Sequence, residues 1–398
     1  MKRFVSILLA VMILISGCSF IGKKQSDSDK IIPDSVQTDN AGNSAESAFN
    51  INNTAQSGSS GASAAATASS TGSDKLLTDS SGVSGGPEAI GMLIDNGAGK
   101  GVVNDPKDKD SILITLYYRN KEGLLVPVTR KVSKQEGVAK AAINGLVDQA
   151  VTREQLAYYG LYPVLPQGTK IKGISIKNGN AAIDFSKEFL NAENKQNEQM
   201  MVSSVVYTLT GFKTISNVEI RVDGKTLDRL VNGTDLSKSR NRQNTFINSE
   251  ETELKEGFIK CDLYYMAYGT KDINYMMPVS TQIENSEDSQ LLAAMFSELS
   301  KKPSAAEYFT SFPEGTKLLS FDESSNLATL NFSSQISNYG GSEKENSLLN
   351  QIYYTISQLK NIKKVKILID GKEAALPEGS EVASAKALPD TWNKIIDK

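Results

Sequence analysis

The sequence predicts an α+β protein built as two tandem two-layer domains, each ordered β-β-α-β-β-α-β with two helices on one face of a sheet. Two observations carry this. First, the chain repeats itself at one offset. Leu116-Tyr117-Tyr118 returns as Leu263-Tyr264-Tyr265, Gly168-Thr169-Lys170 as Gly315-Thr316-Lys317, and Phe185-Ser186 as Phe332-Ser333, each 147 positions on. Tyr207-Thr208 and Asp223-Gly224-Lys225 return as Tyr354-Thr355 and Asp370-Gly371-Lys372 at the same spacing. A period this long describes whole domains, since solenoid units are far shorter. Second, each copy alternates apolar runs bounded by turn residues with two stretches at helical spacing.

The elements of the first copy follow in order. Ser111 to Tyr118 is apolar and β-prone, and Asn120-Lys121-Glu122-Gly123 turns it into a hairpin partner over 124–132. Ser133 and Glu136 have the S-x-x-E spacing of a capping box. A helix should follow, with Val138, Ala142, Ile143, Leu146 and Val147 on one side. Segments 171–177 and 181–185 flank Asn178-Gly179-Asn180, a strong hairpin turn. A second helix carries Met201, Val202, Val205, Val206, Leu209 and Phe212 at helical spacing. Val218 to Val222 is a last strand, closed by Asp223-Gly224-Lys225. The second copy repeats the scheme. Leu348, Leu349, Ile352, Tyr353, Ile356 and Leu359 mark its second helix, and Ser342 and Glu345 repeat the capping-box spacing. Pro127 and Pro278 stand 151 apart, so the first hairpin loop of copy two is expected to be four residues longer. The domains are bounded at 108–230 and 257–376, with a polar, charged linker at 231–256 and a tail at 377–398 that holds the only tryptophan, Trp392.

The N-terminus reads as an address. Lys2 and Arg3 precede an apolar run from Phe4 to Ile15, about a dozen residues, which suits a signal core better than a membrane span. Ile15-Ser16-Gly17-Cys18 resembles the bacterial lipobox. Residues 1–18 are therefore expected to be a lipoprotein signal, with diacylglycerol attached to Cys18. Its two acyl chains suffice for stable anchoring. Residues 19–107 form a Ser/Gly/Ala-rich tract that cannot bury enough apolar surface to offset chain entropy. As a flexible coil this tether reaches on the order of 50 Å.

Composition narrows the function. A net charge of −3 gives no basic field for nucleic acid. The chain has no histidine, which removes the commonest general base and zinc ligand. No Gly-rich phosphate loop, C-x-x-C pair or nucleophile elbow is present, and no catalytic residue, metal, cofactor or small-molecule substrate is expected. Asp184 becomes Asn331 in the second copy, which is wrong for a repeated catalytic acid. Asp223 and Asp370 read as turn residues, and the paired tyrosines as strand packing. Cys261 is unpaired and reads as a small buried thiol.

Several of these motifs resemble the GerMN domain family: L-Y-Y in the first strand, P-x-G-T-K before the second hairpin, D-F-S within it (Asp184-Phe185-Ser186, Asn331-Phe332-Ser333), the tyrosine of the second helix and the final D-G-K. The resemblance covers about two thirds of the chain. It implies a fold similar to the ring-building motifs of secretion systems. It also implies a sporulation and germination lipoprotein, outside the cytoplasm in the space between mother cell and forespore. There it would self-associate or join channel proteins, without catalysis. Two other readings stand beside this one. One is a lipoprotein that binds solute or peptidoglycan in a groove between the copies. The other is a wall hydrolase, disfavoured by the missing histidines. A groove lined by inward aromatics would favour the former, and exposed sheet edges would favour assembly.

Overall fold

The computed structural model describes residues 101–270 and 273–394. In the first copy, β1 (Val102–Asn104), β2 (Ser111–Asn120) and β3 (Leu125–Ser133) lead into α1 (Val138–Asn144), α2 (Ala150–Ala157) and β4 (Leu161–Tyr162). Then come β5 (Ile171–Lys177), β6 (Asn180–Phe185), α3 (Lys195–Leu209), β7 (Asn217–Val222) and β8 (Lys225–Thr226). The second copy contains β9 (Phe258–Tyr268), β10 (Asn274–Glu284), α4 (Asp288–Leu299), β11 (Tyr308–Phe309), β12 (Leu318–Ser324) and β13 (Leu327–Phe332). It closes with α5 (Ser342–Ser357), β14 (Lys364–Ile369) and β15 (Lys386–Ala387).

The α+β order holds in both copies, and the strands divide between two sheets in each. The hairpins β2–β3 and β9–β10 form their own sheets, while the others run β5-β6-β7-β8 and β12-β13-β14-β15. Within the latter, β6 and β7 pair in parallel, as do β13 and β14, with α3 and α5 as the crossovers. The apolar faces predicted for the helices are the buried ones: Met201, Val202, Val205, Val206 and Leu209 on α3, and Leu348, Ile352 and Ile356 on α5.

Three local expectations are corrected. Ser133 is the last residue of β3, and α1 starts behind Gly137, which takes φ 75° and has no side chain to cap the helix. Ser342 opens α5 without capping it, because Gly341 holds the cap position. Leu146 and Val147 lie just beyond α1, and the separate helix α2 follows them. In the second copy, the extra hairpin residues mostly lengthen β9 and β10, which have 11 residues each against 10 and 9 in β2 and β3.

The segment read as a linker is packed. Leu236 and Ile247 are buried, as are Thr245 and Arg242. The buried Glu198 of α3 accepts hydrogen bonds from the amides of Asn232 and Thr234. Its counterpart Glu345 on α5 accepts from the amides of Glu378 and Ser380 and from the Tyr339 hydroxyl. Each carboxylate thus fixes the chain leaving its own copy, and the linker and tail are equivalent arms.

Candidate functional site between the two copies

The repeated motifs resolve into turn and packing chemistry. Pro166 accepts from the Thr169 amide across a turn whose Gly168 has φ 84°, and Pro313, Gly315 (φ 79°) and Thr316 repeat it. Positive φ at that third position is what a type II turn requires of glycine. Lys170 and Lys317 then exchange hydrogen bonds with Ser186 and Ser333, the serines of the F-S motif. In the D-G-K turns, Asp223 and Asp370 take φ of 50° and 47°. The glycine amides behind them donate to Asp184 Oδ1 at 2.8 Å and to Asn331 Oδ1 at 2.7 Å. Only an acceptor is needed there, which explains why Asp and Asn exchange between copies. Cys261 is fully buried, and burial pushes its thiol well above the ordinary range, so it is not poised as a nucleophile.

The tyrosines pack as the motif spacing requires. Tyr117 meets Tyr207 edge-on at 5.3 Å, and Tyr264 meets Tyr354 at 5.8 Å. Ser204 donates to the Tyr117 carbonyl, and Gln351, 147 residues on, donates to that of Tyr264. Strand and helix are tied by the same contact twice.

The copies meet along β3 and β10, and the two arms fill the seam between them. Asn248 accepts from the Leu125 amide at 2.6 Å and donates to the carbonyls of Leu125 and Pro278, both at 2.8 Å. Asn393 repeats this from the tail, accepting from the Met276 amide at 2.9 Å and donating to the carbonyls of Met276 (2.6 Å) and Pro127 (2.7 Å). The residues just before them also correspond. Ile247 exchanges hydrogen bonds with Ser280, and Trp392 with Thr129. The seam therefore has an approximate two-fold symmetry. A proline has no N–H to donate to a ladder, and at Pro127 and Pro278 an asparagine side chain bridges the strands instead. Both asparagines have positive φ, 53° and 35°, a conformation asparagine tolerates better than most residues. Trp392, in the segment read as a tail, reaches both copies: its ring stacks on Tyr354 at 4.2 Å while its backbone bonds Thr129.

The symmetry breaks at one buried polar cluster. Where copy one has Thr115 bonded to Thr129, copy two has Asp262. Asp262 accepts from Lys260 Nζ (2.7 Å), the Ser280 hydroxyl (2.7 Å) and the Tyr207 hydroxyl of the first copy (2.8 Å). The Lys260 and Asp262 side chains are each 1% exposed. Gln358 satisfies the Asp262 amide and carbonyl. Burial first, then the charge of Asp262, raises the Tyr207 phenol well above its ordinary range, so it remains a donor. Arg242, within the stretch read as a polar, charged linker, lies 4.6 Å over the Tyr207 ring and bonds Thr210 and the Tyr207 carbonyl.

Beside the seam is an open cleft of about 460 Å³. Tyr265, Tyr308, Phe246 and Met200 line it, with Glu122, Glu250, Glu251, Glu298 and Glu307 around it. Tyr265 and Tyr308 pack on each other at 5.0 Å. Among the described residues no cluster of ligating side chains fits a metal ion, and no helix is long and apolar enough to cross a membrane. Cys18, the predicted lipidation site, lies outside the described residues. The seam itself was missed. Its only sequence signals are the apolar-Asn pairs Ile247-Asn248 and Trp392-Asn393, at an offset of 145 where the domain motifs keep 147.

Comparison with known proteins agrees with the duplicated architecture. The model of the Germane family, described as "Sporulation and spore germination", matches residues 115–228 and 262–375. The chain is 32% identical over 281 residues to the spore germination protein GerM of Bacillus subtilis (strain 168), covering 68% of this chain and 75% of that one. The solved tandem GerMN domains of the B. subtilis sporulation protein GerM superpose with a TM-score of 0.61 at 31% identity, covering 71% of this chain and 99% of that one.

Proposed function

The chain belongs to the Germane family of sporulation and spore-germination proteins, and from that premise we propose that it is a non-enzymatic assembly module. A diacylglycerol on Cys18 holds it on the outer face of the cell membrane, in the space between mother cell and forespore. The tandem domains take part in a ring-shaped envelope complex, through self-association or contacts with channel proteins. The observation that supports this most is the seam. The buried Lys260–Asp262–Tyr207 cluster and the two asparagine bridges join the copies into one two-headed body. The repeated motif residues Asp184, Asn331, Ser186 and Ser333 are taken up by internal turns. Confinement on a membrane raises effective concentration, so weak lateral contacts suffice.

The test is a pair of variants in the sporulating cell. Cys18→Ala should release the chain from membranes or leave an unprocessed precursor, and sporulation should fail with the fold intact. Normal retention and normal sporulation of that variant would remove the anchored-assembly reading. The cleft beside the seam, with Tyr308 and Phe246 on its wall, supports a second reading as a binder of solute or peptidoglycan fragments. Calorimetric titration with muropeptides decides it, since saturable binding lost in Tyr308→Ala would favour that alternative.

A further inference from the structure

The sheets β5-β6-β7-β8 and β12-β13-β14-β15 each end in an edge strand with one side open among the described residues. Among the described residues β5 pairs with β6 alone, and β12 with β13 alone. The two edges are the same element in the two copies, yet their surfaces differ in sign. β5 reads Ile-Lys-Gly-Ile-Ser-Ile-Lys, with Lys172 and Lys177 and no acid. β12 reads Leu-Leu-Ser-Phe-Asp-Glu-Ser, with Asp322 and Glu323 and no base. Each also exposes a large apolar side chain, Ile176 at 44% and Leu319 at 50%.

An open edge is a template for another strand, and proteins usually blunt it with charge. Blunting alone does not call for opposite signs on equivalent edges. With these signs, β5 repels a second β5 and β12 repels a second β12, whereas β5 attracts β12. We propose that the β5 edge of one protomer pairs antiparallel with the β12 edge of the next, giving a head-to-tail contact between copies of this chain.

The register follows from the side chains. Setting Ile174 opposite Phe321 puts both on the core-facing side of their sheets, where their neighbours Ile183 and Leu330 lie. By chain position that alignment places Lys172 opposite Glu323 and Ile176 opposite Leu319, with Lys172 and Leu319 the extra residues of the β-bulges that bend the two edges. A parallel arrangement would set Ile176 against Glu323 and leave Lys172 facing Leu319. Lys172 is ion-paired with Asp223 at 2.8 Å, both about half exposed, and such a pair yields readily to a new partner. Because the contact uses different surfaces on the two protomers, it leaves one edge open at each end. It therefore propagates, closing into a ring if the rotation fits. The contact rests on the assembly reading above, to which it gives a surface and a partner.

The experiment uses the full-length chain on lipid vesicles at high surface density. Ile176→Cys together with Leu319→Cys should give a ladder of dimers, trimers and larger species under mild oxidation. Either single variant should stay monomeric, and a mixture of the two singles should stop at dimers. Cys261 is buried, and the chain is bound to the vesicles through a lipidated Cys18 whose sulfur is then blocked, which leaves the background clean. The paired reversals Lys172→Glu/Lys177→Glu and Asp322→Lys/Glu323→Lys should each weaken association about fivefold or more. Combining all four should restore it, which a folding defect would not do. Dimers from a single-cysteine variant would overturn the proposal. So would a missing ladder while amine cross-linking still shows oligomers, an outcome that leaves the assembly reading standing. A wild-type chain that remains monomeric on vesicles would remove the contact and self-association together.

Discussion

Replacing Asp262 by Asn should cost about 3–5 kcal/mol, the range for breaking a buried ion pair by neutralising one partner. The structure shows why the upper part of that range applies. The Lys260 ammonium, 1% exposed, loses its carboxylate and keeps neutral partners alone, the Tyr207 hydroxyl 2.9 Å away among them. The Tyr207 and Ser280 hydroxyls, which donate to the same carboxylate at 2.8 and 2.7 Å, must turn to a weaker acceptor. Charge-assisted bonds of this kind are individually worth about 1.5–3 kcal/mol. Lys260→Met should also destabilise, and adding it to Asp262→Leu should cost less than the sum of the two single changes by about 2 kcal/mol. Urea unfolding followed by circular dichroism measures all of this. Tyr207 belongs to the other copy, so the wild type should unfold in one transition and Asp262→Asn in two. A loss below about 1 kcal/mol, or a double variant as unstable as the sum of the singles, would refute the cluster's role in holding the copies together.

Three further outcomes follow from the geometry. Asn248→Ala and Asn393→Ala each remove three hydrogen bonds to backbone groups at equivalent places. Both should lower the stability measured by urea unfolding by similar amounts, on the order of 2–3 kcal/mol, and raise hydrogen exchange at Leu125 and Met276 respectively. Asp184→Asn copies what the second domain already has at Asn331, so stability should change by less than about 0.5 kcal/mol and sporulation not at all; loss of function with the fold intact would reveal a reactive role. Burial alone would raise the Glu345 pKa, but hydrogen bonds from Ser380, Tyr339 and the Glu378 amide outweigh it and hold the carboxyl below its ordinary value. A group depressed by folding contributes stability above its unfolded pKa of about 4.3 and loses it as pH falls through the folded value. Acid unfolding should therefore be less steep in Glu345→Gln, measured from pH 5 to pH 2.

Most of the domain was legible because turn chemistry and apolar period are local. The Asn178-Gly179 hairpin, the D-G-K turns and the buried face of α3 are all set by residues a few positions apart. The seam was not legible because its partners are remote. Asn248 and Leu125 lie 123 residues apart, and Asn393 and Pro127 lie 266 apart. The charged stretch before Asn248 reads as a linker because composition cannot reveal that Arg242 stacks on Tyr207 and bonds Thr210. The capping boxes misled for the opposite reason, local spacing without context. Glu345 has the right interval from Ser342 but turns away to hold the arm of its own copy. The helix α2 went unread because Thr152 and Leu156 are its only buried residues, too few to make a period.

The two-fold seam bears on ancestry. A single copy with its arm already carries both halves of the joint: a strand with an edge proline, and an apolar-Asn pair to lay against another such strand. Two separate chains of that kind could satisfy each other by exchanging arms, as a swapped homodimer does. Fusion makes the two halves independent in sequence, and the molecule shows the result. One half retains a neutral Thr115–Thr129 pair, while the other holds a lysine and an aspartate that a strictly symmetric dimer would have had to bury twice.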